Sequence, residues 1–109
     1  MAAQMITVEI QPGGCDQETI IVAYSEDNQK VNLDIASKCP AIQKAAEELR
    51  QLDASSEVFG SAINTTVYKV MAKYARHPSC PVASGVLKAI EATVGLAPPV
   101  DVHMRITES

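Results

Sequence analysis

The chain has 109 residues, a formal charge of −4, no Trp and three cysteines. A chain of this length buries one core without cross-links, and with so few aromatics that core is built from Val, Ile, Leu, Ala and Met. Acids and bases are interspersed, with no basic stripe for nucleic-acid phosphates or an anionic membrane surface and no run of roughly 20 apolar residues.

The start of the chain lacks the basic and apolar regions of a signal peptide. The expected compartment is therefore the cytoplasm. There, an odd number of cysteines reads as ligands, nucleophiles or core residues rather than as disulfides. One domain is expected over 1–109, with 1–4 a frayed tip.

From Met5 to Ile10 the chain alternates, with Ile6, Val8 and Ile10 on one side and Thr7 and Glu9 on the other, the period of a half-buried strand. Pro12-Gly13-Gly14-Cys15-Asp16 breaks it as a loop. Glu18 to Ser25, rich in β-branched residues, is a second strand. Asp27-Asn28 marks a tight turn. Gln29 to Ser37 is a third strand, with Val31, Leu33 and Ile35 inward. The short connections make these three an antiparallel meander.

Pro40 opens a helix to about Leu52, at a position where its missing N–H costs nothing. Ile42, Ala45, Ala46, Leu49 and Leu52 are its apolar stripe. Asp53 to Ser61 is a polar connection anchored by Val58-Phe59. Asn64, Thr65 or Thr66 caps a second helix to about Arg76, with Val67, Val70, Met71 and Tyr74 buried. A third helix runs from Pro81 to about Val94, stopped by Gly95. Gly85 within it costs about 1 kcal/mol against Ala. After Pro98-Pro99, Val100 to Thr107 alternates strictly and reads as a last strand, with Val102, Met104 and Ile106 on one side and Asp101, His103 and Arg105 on the other. The expected architecture is α+β, βββαααβ, with three helices on one face of the sheet. The other face is wet.

Chain direction brings the cysteines together. Cys15 lies in the turn after an upward strand, Cys39 ends the next upward strand, and Cys80 follows an upward helix. All three emerge at one end if the two helices between Cys39 and Cys80 form a simple reversal. Cys39 and Cys80 are both expected at helix N-caps, where unpaired N–H groups and the dipole favour an anion. Gly13 and Gly14 allow backbone to approach a bound ion or cluster. Zinc and iron–sulfur clusters both take thiolates and usually four ligands. His77 is the natural fourth and Asp16 another. Against this stands the plain reading, that cysteine is a small buried hydrophobe.

Glu9-Ile10-Gln11-Pro12-Gly13 with Cys15, Cys39-Pro40, His77 and Cys80-Pro81-Val82, and Gly85 to Glu91 together resemble a small family of stand-alone bacterial and archaeal proteins of no assigned function. The likeness covers nearly the whole chain. More distantly, Gly13-Gly14-Cys15, Cys39, Ser79-Cys80-Pro81 and Leu87-Lys88-Ala89 are similar to the TSCPD domain, which occurs alone and at the end of some ribonucleotide reductases. That resemblance implies metal-binding cysteines. The Thr of its motif is Pro78 here and its Asp is Val82.

Three functions follow as expectations. The first is a metal or metal-cluster module using Cys15, Cys39, Cys80 and His77, holding zinc or an iron–sulfur cluster. The second is a thiol-redox protein with an N-cap thiolate. The third is an interaction module with inert cysteines, binding a protein partner through the wet sheet face. A homodimer is compatible with all three, and enzymatic activity is left open.

Overall fold

The computed structural model describes residues 5–109; the frayed tip expected at 1–4 lies outside them. Three strands follow the predicted alternation: β1 (Met5–Ile10), β2 (Thr19–Tyr24) and β3 (Lys30–Ser37). They pair antiparallel in order, with Ile10 opposite Thr19 and Thr19 opposite Ser37 at one end. Ile6, Ile10, Ile21, Ala23, Val31 and Leu33 are buried, while Met5, Thr7, Ile20 and Asp34 lie exposed. Period-two burial of this kind means one face is packed and one is wet. In the β2–β3 turn, Asn28 takes a positive φ of 60°. Asp27 Oδ1 accepts from the N–H groups of Gln29 and Lys30, both at 2.9 Å, and these bonds hold its carboxyl below the usual aspartate range.

Helix α1 (Pro40–Glu47) starts at Pro40 as expected but stops short of Leu52. Its last turn tightens, with Glu48 N–H donating to Ala45 O at 3.0 Å and Leu49 N–H to Ala46 O at 3.1 Å. Gln51–Asp53 then forms a fourth strand, β4, on the free edge of β3, with Leu52 opposite Val31. Leu49 and Leu52 are buried all the same, 1% and 7% exposed. The helical stripe and the strand alternation share those two residues, and the open edge of β3 decides between them by supplying backbone partners that a longer helix would forgo. The sheet order is β1-β2-β3-β4.

The polar connection after β4 also holds a helix, α2 (Ala54–Val58). Asp53 caps it by accepting from Ser56 N–H. Within it Val58 is half-buried, but Phe59 is 65% exposed and anchors nothing. A 3₁₀ turn (Ala62–Asn64) leads to α3 (Thr66–Tyr74). Of the three candidate caps, Thr65 fills the role, its hydroxyl accepting from Tyr68 N–H at 3.1 Å. Glu57 of α2 adds a second cap: its buried carboxylate accepts from Thr66 N–H at 3.0 Å and Val67 N–H at 2.9 Å. One side chain thus satisfies two otherwise unpaired helix donors. Val67, Val70 and Met71 face the core as predicted.

Helix α4 (Val82–Thr93) crosses β1 and β2. Gly95, at φ +77°, ends it. Gly85 faces the sheet: a Cβ there would overlap Ile10 Cδ1 and sit 3.2 Å from Ile10 Cγ1 and 3.6 Å from Ile21 Cδ1. The glycine therefore sets how closely α4 lies on the sheet. Side chains of the strands, α1, α3 and α4 form a single core.

The expected strand from Val100 to Thr107 is not part of the sheet. Residues 98–109 have no regular secondary structure and all are exposed. His103 and Arg105 therefore do not belong to the wet sheet face. The segment alternates like a strand but lies on no edge, and alternation without a backbone partner makes no strand.

Candidate functional site: the cysteine end of the sheet

Three cysteine-bearing segments lie at the end of the sheet closed by the Ile10–Thr19–Ser37 row. The first follows β1. Gly13, at φ +83°, and Asp16, at φ 56°, bracket a tight turn in which Asp16 N–H donates to Gly13 O at 2.9 Å. Cys15 sits inside that turn and is exposed. Positive φ is readily met by Gly and tolerated by Asp, which explains these residue types without any ligand.

The second segment follows β3. Ser37 is the hub: Thr19 Oγ1 donates to its hydroxyl at 2.8 Å, and Cys39 N–H donates to the same oxygen at 3.1 Å. Gln43 Nε2 donates to Ser37 O at 2.8 Å. Cys39 is the N-cap of α1 as expected, but its side chain makes no capping hydrogen bond. The thiol is half-buried against the core. Sequence reading passed over Ser37, although a serine hydroxyl can bond backbone N–H groups a residue or two away.

The third segment precedes α4. Cys80 N–H donates to His77 O at 3.1 Å, closing a turn over His77-Pro78-Ser79-Cys80. The N-cap of α4 is Pro81, so Cys80 lies one residue outside the cap position expected for it. It too is half-buried against the core, while His77 is exposed. Packing of Gly85 over Ile10 brings the start of α4, and with it this turn, to the same end as the other two.

The end of the sheet is shared, but a ligand set is not assembled. Among the described residues, no group of three or more His, Cys, Asp or Glu side chains is gathered closely enough to hold a metal ion. The reason is local. Cys15 and His77 stand out on exposed turns, whereas Cys39 and Cys80 turn partly toward the core. All three cysteines are free thiols.

A second cluster of ionisable groups lies elsewhere, where α1 ends beside α3. Glu48 accepts from Lys73 Nζ at 2.6 Å and from the hydroxyl of Tyr74. The Lys73 bond, then the Tyr74 bond, hold the Glu48 carboxyl below its usual range. The same contact raises Lys73 and Tyr74 above theirs. Sequence reading missed this cluster because its partners are 25 and 26 residues apart. It clamps two helix ends at the surface. The wet side of β3 and the flank of α1 also frame an open groove of about 630 Å³, bordered by Asn32, Asp34, Gln43, Glu47 and Arg50.

No described helix is long and apolar enough to cross a membrane. No curated protein and no solved structure matches the chain. One family model does, over residues 6–106, and it carries no TSCPD assignment. The predicted small family is thus met from Ile6 to Ile106, across the sheet, the helices and all three cysteines, and the chain belongs to the family of unknown function DUF6951.

Proposed function

We propose that the cysteine end of the sheet is a thiol site for a thiophilic cation, zinc or the iron of an iron–sulfur cluster, assembled when the ion binds. The observation that carries the reading is the Ile10–Thr19–Ser37 row, with Gly85 packed over Ile10, which directs three cysteine-bearing segments to one end. Soft thiolates select such metals over hard cations. Cys39 and Cys80 are the fixed pair, held on loops tied to Ser37 and to the start of α4. Cys15, exposed in the turn after β1, is the member that would have to move to complete the set, and the space around Gly13 and Gly14 is open. His77, three residues before Cys80 and exposed, is the candidate fourth ligand. Binding would release the thiol protons, so affinity would rise with pH.

The test is metal analysis and absorption spectroscopy on protein purified without oxygen or chelator, for the native chain and for Cys15→Ser, Cys39→Ser and Cys80→Ser. Native protein should carry metal, and each change should lower its content. Full metal content in all three variants, or none in native protein after addition of zinc or ferrous iron with sulfide, overturns the proposal. In the metal-free case, alkylation rates of the thiols then decide between a redox thiol and inert cysteines.

A further inference from the structure

Residues 100–107 carry the alternation of a strand but join no sheet, and among the described residues the outer edge of β1 has no neighbour. Val100, Val102, Met104 and Ile106 are 71%, 61%, 80% and 94% exposed. Four large apolar side chains in one short segment are unusual for a free surface. In extended backbone, Val102, Met104 and Ile106 share one side. The arm is no appendage to the domain, because the family match runs through Ile106. β1 pairs with β2 alone, and its outer edge is open among the described residues. Its six residues, Met5 to Ile10, hold a single charge, Glu9. An edge so apolar invites pairing with another chain.

We infer that the arm of one molecule adds as a strand to the β1 edge of a second copy, and that a two-fold pair of such exchanges makes a homodimer. The chemistry of the two segments matches. With Met104 beside Val8, either strand direction aligns Val102 and Ile106 with Ile6 and Ile10, on the side facing the helices. Either direction also brings His103 or Arg105 beside Glu9, on the wet side, a favourable cross-strand pair. Val8 is the half-buried residue of the β1 core row and gains cover from the added strand. The connection to the arm is stiff. Pro98 and Pro99 have fixed φ, and Val100 N–H donates to Pro98 O at 2.9 Å across a tight corner. The chain's own arm leaves its own β1 edge open. A second copy offers the same edge through a symmetric operator that satisfies both arms at once. This surface is separate from the cysteine end and does not depend on its chemistry.

The experiment is size-exclusion chromatography with light scattering over a dilution series. It compares the full chain, a variant lacking residues 100–109, and the double variant Met104→Asp, Ile106→Asp. The full chain should run at twice its 11.6 kDa mass. The shortened variant should be a monomer that keeps the helical circular dichroism of the fold, and the double variant should dissociate at a concentration about tenfold higher or more. In a mixed-isotope sample of the full chain, contacts between arm methyls and β1 amides should appear between chains. A monomeric full chain, a dimer that persists without the arm, or arm contacts confined to the same chain would each overturn the inference.

Discussion

Gly85→Ala tests whether helix propensity or packing governs the seat of α4. Two effects oppose each other. Within a helix, Ala is favoured over Gly by about 1 kcal/mol. Against that, the new methyl would overlap Ile10 Cδ1 and crowd Ile10 Cγ1 at 3.2 Å. Overpacking of this kind costs about 1–3 kcal/mol. The δ-methyl of Ile10 could in principle rotate away, but Ile10 is only 9% exposed and Ile21, 0% exposed, lies beside it. Packing therefore wins, and the net loss is about 1 kcal/mol. Ile10→Val removes the obstructing methyl and alone costs about 0.5–1.5 kcal/mol. In the double variant, the Ala methyl fills the space that the Ile methyl leaves. The two changes should then couple favourably by about 1–2 kcal/mol. The assay is urea unfolding of all four proteins by circular dichroism, with equal m-values as the check on two-state behaviour. A Gly85→Ala protein more stable than the native one refutes the reasoning. So does additivity of the two changes within about 0.5 kcal/mol.

Two further outcomes follow from the hydrogen bonds. Glu57→Ala strands the N–H groups of Thr66 and Val67 at a buried helix start and should cost about 2–3 kcal/mol, more than the roughly 1 kcal/mol expected for the Thr65→Ala cap; the reverse order in denaturant unfolding would discard this account. Glu57→Gln keeps one acceptor oxygen and should lose less than Glu57→Ala. Glu48 has its folded-state pKa depressed, by Lys73 first and Tyr74 second, so its stabilising effect is present at neutral pH and is lost as pH falls below the ordinary glutamate range through the folded value. Glu48→Gln should therefore flatten the acid limb of stability against pH and merge with native protein at its low end. Tyr74 is raised because Glu48 accepts its proton, and the same change should lower the pH at which its tyrosinate absorbance appears. An unchanged acid limb together with an unchanged tyrosinate titration would show that the cluster does not persist in solution.

Local signals reached far into this fold. Alternation in Ile6-Val8-Ile10 and Val31-Leu33-Ile35 placed two strands and their packed faces, because period two is a property of extended backbone itself. Pro40, Thr65 and Gly95 marked two helix starts and one helix end, because each acts within a residue or two of its own position. Strand direction alone sends Cys15 and Cys39 toward one end of the sheet; Cys80 was expected there from a simple reversal of two helices, but β4 and α2 stand in that connection, and it is the packing of Gly85 over Ile10 that bears on its place. Their final poses were not legible. The burial of Cys39 and Cys80 against the core depends on how α1 and α4 sit on the sheet, and no spacing between cysteines encodes that.

The sequence by itself determined the three-strand meander, the helical stripes of α1, α3 and α4, and the break at Gly95, since each follows from steric and hydrogen-bonding rules among near neighbours. Tertiary structure alone decided three things. Leu52 became strand because the open edge of β3 supplied partners to Gln51–Asp53. Glu57 became a cap because α2 lies against the start of α3, ten residues on. Val100 to Thr107, with as regular an alternation as β1, became an unpaired arm, because a strand is completed by a neighbour's backbone and the arm lies along no edge of the sheet.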